Sequence, residues 1–241
     1  MKGLQSEIIR DIRLWKNWIP EQVGNDRIVI FLFSRNNKIF AINHDGTNVE
    51  GFPFKLFEYE YFETEPDILD SSLVFSEKVK AGVALADFNN NGRDDIVIGT
   101  DDNHIYLILD DGSIAPGFPF TAEDKFQTAP SILDVDGEKF IAAGNNNDTL
   151  YVINSDGSLH FSVDTGGKVN TSPVFFKTDG RIYIGFGSKN DEIYLVDMNG
   201  DALPGWPVLV NGNIEGSVIC SDLDADGEVE IAANTDSGKM F

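Results

Sequence analysis

The sequence predicts an all-β fold, a β-propeller of four-stranded blades with about five blades in this chain. Three observations carry that prediction. Four segments align over eight positions without gaps: IFAINHDG from Ile39, IYLILDDG from Ile105, LYVINSDG from Leu150 and IYLVDMNG from Ile193. Their second position is always aromatic (Phe40, Tyr106, Tyr151, Tyr194), at spacings of 66, 45 and 43 residues. Runs such as IYLIL and IVIG are apolar on both faces, so both faces must be covered.

Each aligned segment is a β-prone run closed by Asp-Gly or Asn-Gly, the pattern of a strand running into a tight turn. Just beyond the turn glycine lies GFPF at Gly51, GFPF at Gly117 and GWPV at Gly205; the third repeat lacks it. Upstream stands a strand starting on a small residue: GVALAD, APSILD, SPVFFK and SVICSD. Between the two lies a further apolar run: DIVIGT, FIAAGN, RIYIGF and EIAANT. About four short strands in roughly 45 residues make a propeller blade. A β-sandwich would not explain one register held across the repeats. The blades fall near residues 5–60, 81–125, 126–166, 167–212 and 213–241, with an acidic, aromatic insertion over 55–80 in the first repeat. The insertion suits an outer strand extended to shield an edge, or a loop on a binding face.

Composition limits the function. The 241 residues are 41% hydrophobic and 11% aromatic, ample for a sizeable core. With 18 Lys and Arg against 40 Asp and Glu the formal net charge is −22. Such a surface repels phosphate backbones and anionic lipid, and favours divalent cations or basic partners, although acidity also serves solubility alone. Nucleic acid and membrane insertion are therefore not expected. The single cysteine, Cys220, excludes an intrachain disulfide and reads as a small buried side chain. The N-terminal stretch has no uninterrupted apolar run and is neither a signal peptide nor a membrane span. Met240 and Phe241 fall on the first two positions of a fifth aromatic strand. The expectation is a piece of a larger or incompletely closed propeller, with further blades or domains in the full-length chain.

Two repeats carry a denser motif between their first two strands. Residues 87–96 read DFNNNGRDDI and residues 222–231 read DLDADGEVEI, with oxygen-bearing side chains at positions 1, 3 and 5, glycine at 6 and an acid at 9. A hard cation takes six to eight oxygens, and alternate residues of a tight loop turn inward together. The candidate side-chain ligands are Asp87, Asn89, Asn91 and Asp95, and Asp222, Asp224, Asp226 and Glu230. The main-chain carbonyls of Arg93 and Glu228 would complete the two shells. The competing reading is a plain acidic turn, because Asp, Asn and Gly dominate turns. An EF-hand needs a bidentate Glu at position 12, where Ile98 and Ala233 stand, and flanking helices, where the flanks here are strand-like. The third and fourth repeats, at Asp134-Val135-Asp136-Gly137 and Thr178-Asp179-Gly180, are too short or too poor in ligands to hold metal.

Strand, D-x-[DN]-x-[DN]-G-x-x-[DE]-I, strand, and an aromatic strand ending in DG with an FP or WP element resembles the FG-GAP repeats, also called VCBS-type or integrin-α-like repeats. The resemblance covers most of residues 27–241. It implies a propeller of seven or eight blades in secreted, periplasmic or surface proteins, calcium (Ca2+) rigidifying the blades, and protein or glycan ligands bound at one face.

The resulting expectation is a calcium-stabilised binding or scaffold module without catalytic residues. The alternative is part of a propeller enzyme, such as a polysaccharide lyase or a quinone-dependent dehydrogenase. His44, His104 and His160 occupy different repeat positions and read as solvated surface. No nucleophile elbow, phosphate loop or Cys/His cluster is present. Trp206 at the WP position reads as packing, and Trp15 and Trp18 as a cap or a sugar contact.

Overall fold

A computed structural model describes residues 30–34, 38–42, 54–55, 79–80, 82–225 and 229–241. Five antiparallel sheets follow one another along the chain. The first holds β1 (Ile30–Ser34), β2 (Lys38–Ile42) and β3 (Phe54–Lys55). The second blade holds β4 (Val83–Ala86), β5 (Asp95–Gly99), β6 (His104–Ile108) and β7 (Phe120–Thr121). The third holds β8 (Ser131–Val135), β9 (Glu138–Gly144), β10 (Thr149–Asn154) and β11 (Leu159–Asp164). The fourth holds β12 (Val174–Thr178), β13 (Arg181–Gly187), β14 (Glu192–Asp197) and β15 (Val208–Leu209). The fifth holds β16 (Ile219–Ser221) and β17 (Glu230–Ala232), and Met240 and Phe241 pair back onto Ala233 and Asn234. Most of the insertion, residues 56–78, lies outside the described residues.

Within each complete blade the strands pair in chain order, and the first strands β4, β8, β12 and β16 adjoin one another in sequence. The second and third strands are the buried ones, as apolarity on both faces requires: all of β5 and four of the five residues of β6 are buried. Alternate residues of one strand serve opposite neighbours. Ile141, Ala143 and Ile153 join Val97, Leu107 and Phe126 of the second blade and its linker. Their neighbours Ala142, Leu150 and Val152 join Ile184, Phe186 and Val196 of the fourth. Each fully buried Ile, Leu or Val contributes about 1.5–3 kcal/mol.

The FP and WP elements interrupt the fourth strand. In the second blade the chain bridges at Ile108 and Ile114, leaves through Gly117-Phe118-Pro119, and returns as the two-residue β7. The third blade lacks the element, and its β11 runs six residues against β10. Proline offers no N–H to a ladder, which accounts for the break. Trp206 packs beside Ile193, Val210, Ile214 and Val218.

A second repeated device joins the blades. The linkers carry a buried apolar residue at one register position, Phe126, Val169 and Ile214, each at most 1% exposed. Its N–H donates to the carbonyl that opens the preceding blade's second hairpin: Phe126 to Thr100 (3.0 Å), Val169 to Asn145 (3.1 Å), Ile214 to Ser188 (3.4 Å). A second bond returns from the next blade, Asn146 N to Lys125 O, Lys189 N to Lys168 O and Asp236 N to Asn213 O. The glycine ahead of that hairpin makes room. A Cβ on Gly99, Gly144 or Gly187 would lie 2.6 Å from Phe126 Cβ, 2.3 Å from Val169 O and 2.3 Å from Ile214 Cγ2. At the equivalent place in the fifth repeat stands Asn234, which is exposed.

Cys220 is half-buried, not fully buried as its apolar run suggests. β16 is a short strand with Ile219 61% exposed, and Cys220 packs only one side onto the cluster around Ile214 and Val218. Burial nonetheless pushes its thiol up to about 11, far from a reactive thiolate.

Candidate metal loops

Because the strands are antiparallel and pair in order, the first and third hairpins of each blade share one end, and the second hairpin and the linkers share the other. Loop 87–95 joins β4 to β5 at the first end, and loop 222–230 joins β16 to β17 in the same register.

In the first loop the side chains fold inward onto the turn. Asp87 accepts from the N–H of Asn91 (3.0 Å) and of Gly92 (2.7 Å). Asn89 Oδ1 accepts from Asn91 N (3.1 Å), and Asn91 Oδ1 accepts from Arg93 N (2.9 Å). Asn90 at position 4 has φ +57° and Gly92 has φ +84°; both are left-handed, which asparagine and glycine tolerate best. Asp95 at position 9 is fully buried and accepts from Phe88 N (2.8 Å) and Asp110 N (2.9 Å). Burial outweighs those bonds and raises its carboxyl above the ordinary range.

The second loop repeats the frame where it is described. Leu223 N donates to Glu230 Oε2 at 2.7 Å, matching Phe88 to Asp95, and Ala225 at position 4 has φ +64°, matching Asn90. One carboxylate oxygen from each of Asp222, Asp224 and Glu230 falls within 4.8 Å of the other two. Asp226 and Glu228 lie outside the described residues. Hydrogen bonds thus tie Asp87, Asn89 and Asn91 into one turn with Asp95 buried beside it, and one oxygen each of Asp222, Asp224 and Glu230 is grouped in the other loop. Like charges held this close repel, and a hard cation among them would remove the repulsion. The donor sets are all oxygen, which fits calcium and suits softer metals poorly.

The shortened loops of the third and fourth repeats are two-residue hairpins. Val135 pairs with Glu138 around Asp136-Gly137, and Thr178 with Arg181 around Asp179-Gly180, with positive φ at all four turn residues. Aromatics, Phe140 and Tyr183, stand where Asp95 and Glu230 stand. The third repeat keeps an acid at position 1, Asp134, and Lys139 Nζ sits 3.0 Å from it with its side chain 5% exposed. The same ammonium lies 3.5 Å from Asn90 Oδ1 of the neighbouring blade. A lysine thus supplies the cation there.

One residue at this end escaped the sequence reading. Asp110, at the third hairpin of the second blade, accepts from Asn91 Nδ2 (2.8 Å), Asn89 Nδ2 (3.4 Å) and Arg93 Nη1 (3.0 Å). The Asn91 carboxamide, then the Arg93 guanidinium, hold its carboxyl below the usual range. The signal was present: the four aligned segments read His44, Asp110, Ser155 and Met198 at this position.

The two described histidines stand on different blades, His104 on β6 and His160 on β11. His160 is exposed between the rings of Phe140 and Phe161. His104 is not plain solvated surface: it is half-buried, 3.3 Å from Asp102 and beside Tyr106. His44, Trp15 and Trp18 lie outside the described residues.

No family model and no curated protein matches the chain. Solved structures do. BBS1N, solved in complex with ARL6DN, is similar at 12% identity over 88% of this chain and 59% of its own, with a TM-score of 0.57. BamB from Moraxella catarrhalis is similar at 16% identity over 68% of this chain and 46% of its own, TM-score 0.51. The chain has the β-propeller fold. The V. cholerae biofilm matrix protein Bap1 is similar at 20% identity over 87% of this chain and 31% of its own, TM-score 0.58. The propeller described here spans 31% to 59% of those three chains.

Proposed function

We propose that this propeller is a calcium-stabilised binding or scaffold module working outside the cytoplasm, and that it has no catalytic site of its own. The observation that carries the reading is the grouping of Asp222, Asp224 and Glu230 in a loop that shares its frame with residues 87–95. Asp222, Asp224, Asp226 and Glu230, with the Glu228 carbonyl, would hold one ion. Asp87, Asn89, Asn91 and Asp95, with the Arg93 carbonyl, would hold the other, more weakly because two ligands are neutral. A bound ion supplies positive charge that ties the two strands of a hairpin together.

An extracytoplasmic setting is supported by the resemblance to FG-GAP repeats and by the two neutral ligands of loop 87–95, whose weaker affinity suits the high calcium outside cells. A binding role is supported by two of the similar structures, a biofilm matrix protein and a protein solved in complex with a partner. The expected ligand is a protein or a glycan.

Melting curves with calcium and with EDTA test the metal. A ligand at about 100 times its Kd stabilises the native state by about 2.7 kcal/mol, so chelation lowers Tm by several degrees. An unchanged melt together with no terbium luminescence would refute the assignment. Glycan and peptide arrays, probed with and without calcium, test the binding role, and turnover of a polysaccharide or an alcohol would favour the enzyme instead.

A further inference from the structure

We infer that Asp110 is the positioning residue that makes the carboxamide loop at 87–95 competent for a cation, an inference that rests on the calcium reading above. A carboxamide is an ambiguous ligand, because rotating it by half a turn replaces the coordinating oxygen with an NH2 that repels a cation. In this loop both amides are held one way round. The Oδ1 atoms of Asn89 and Asn91 face the backbone of the turn, and their Nδ2 atoms both donate to one carboxylate oxygen of Asp110. The other oxygen of Asp110 holds Arg93, which keeps that guanidinium at the third hairpin. The Asp110 side chain is only 13% exposed, and its own N–H donates to Asp95, the ninth residue of the loop. Asp110 thus touches positions 3, 5, 7 and 9 from another hairpin of the same blade.

The repeats within the chain support the pairing. At this position the other aligned segments carry His44, Ser155 and Met198. The carboxylate occurs in the repeat whose intact loop has asparagine at positions 3 and 5. Loop 222–230 has aspartate at its positions 3 and 5, whose two oxygens are equivalent and need no such orientation. Outer-shell partners of this kind typically change metal affinity by about 10–100-fold.

The experiment isolates loop 87–95 by carrying Asp222→Asn and Asp224→Asn throughout, and reads calcium affinity by calorimetry and terbium competition. Asp110→Ser, which introduces the residue found at this position in the third repeat, should weaken binding by at least about 10-fold. Asn89→Asp with Asn91→Asp should restore affinity in the Asp110→Ser protein. The same pair should bring a smaller gain when Asp110 is present, because Asp110 already fixes which way the two carboxamides turn. That non-additivity separates orientation from a simple loss of nearby charge, which would give the same gain in both backgrounds. Equal affinities with and without Asp110, or additive effects, would overturn the inference. If the parent loops bind no calcium or terbium, the proposed function fails instead. Melting without metal verifies folding, and Asp110→Asn takes the place of Asp110→Ser if the serine variant does not fold.

Discussion

Gly144 offers a direct test of how closely the blades are stacked. It lies at the end of β9 with an ordinary strand φ, so nothing in its backbone conformation demands glycine. Space does. A Cβ there would lie 2.3 Å from Val169 O, 2.4 Å from Val169 Cγ1 and 2.8 Å from Val169 Cβ. Two of those atoms do not move with a rotamer change, so Gly144→Ala must displace the linker itself. The linker is tied by Val169 N to Asn145 O at 3.1 Å, and displacement strains that bond as well. Overpacking costs about 1–3 kcal/mol and a weakened hydrogen bond about 1 kcal/mol. Together these give a loss of about 2–4 kcal/mol, or roughly 5–15 °C in Tm for a domain of this size. The comparison is Gly137→Ala, where φ is +86° and the new methyl meets nothing within 4 Å; left-handed strain alone costs about 1–2 kcal/mol. Urea unfolding of both variants is the assay. The reasoning fails if Gly144→Ala costs no more than Gly137→Ala. It fails too if adding Val169→Ala, which removes Cγ1 but neither Cβ nor the carbonyl, restores full stability.

Phe126→Ala empties the fully buried plug between the second and third blades, beside Tyr151, and should cost about 3–5 kcal/mol in urea unfolding; a loss below 1 kcal/mol would show that the plug is not part of the core. Tyr194 gives a pH dependence. Burial, then the Glu192 carboxylate accepting its hydroxyl at 2.6 Å, pushes the phenol up to about 12. The folded state therefore keeps a proton that the unfolded state releases near pH 10. This stability is fully present below pH 10 and is lost as pH rises toward 12, about 2–3 kcal/mol in all. Tyr194→Phe should flatten that alkaline decline relative to the parent, and an unchanged slope would refute the assignment.

The strand pattern was legible because it depends on one-dimensional periodicity. A run such as Ile96-Val97-Ile98 has no polar face to offer water, and it is buried throughout. The frame of the metal loops was legible for a similar reason, since glycine at position 6 and acids at fixed offsets are local. The backbone bonds and plugs that join blades leave no such local pattern. Phe126, Val169 and Ile214 sit in polar linkers and look isolated until the register aligns them. The glycines before the second hairpins suggest turns, yet they answer to a contact with a linker some 25 residues away. Asp110 escaped for the same reason, because its partners lie 15–21 residues upstream on another hairpin. Contacts across hairpins leave no period in the sequence.

The two ends of the stack do different work. At the linker end, backbone bonds, apolar plugs and glycine clearances hold one blade against the next, and most of those groups are buried. At the loop end, the acidic residues organise single hairpins, while Lys139 reaching Asn90, His160 Nε2 lying 3.1 Å from Met198 O and the close approach of Gly117 to Gly157 cross between blades. A cation bound at residues 87–95 or 222–230 would therefore tighten a blade internally and leave the stacking to the linkers and to these separate contacts. It follows that chelation should loosen the β4–β5 and β16–β17 hairpins first, seen as faster hydrogen exchange at Phe88 and Leu223, whose N–H groups the position-9 carboxylates hold. Exchange at Phe126, Val169 and Ile214 should follow only with global unfolding. Loss of protection at the linkers before the loops would mean that the ions, and not the plugs, hold the blades together.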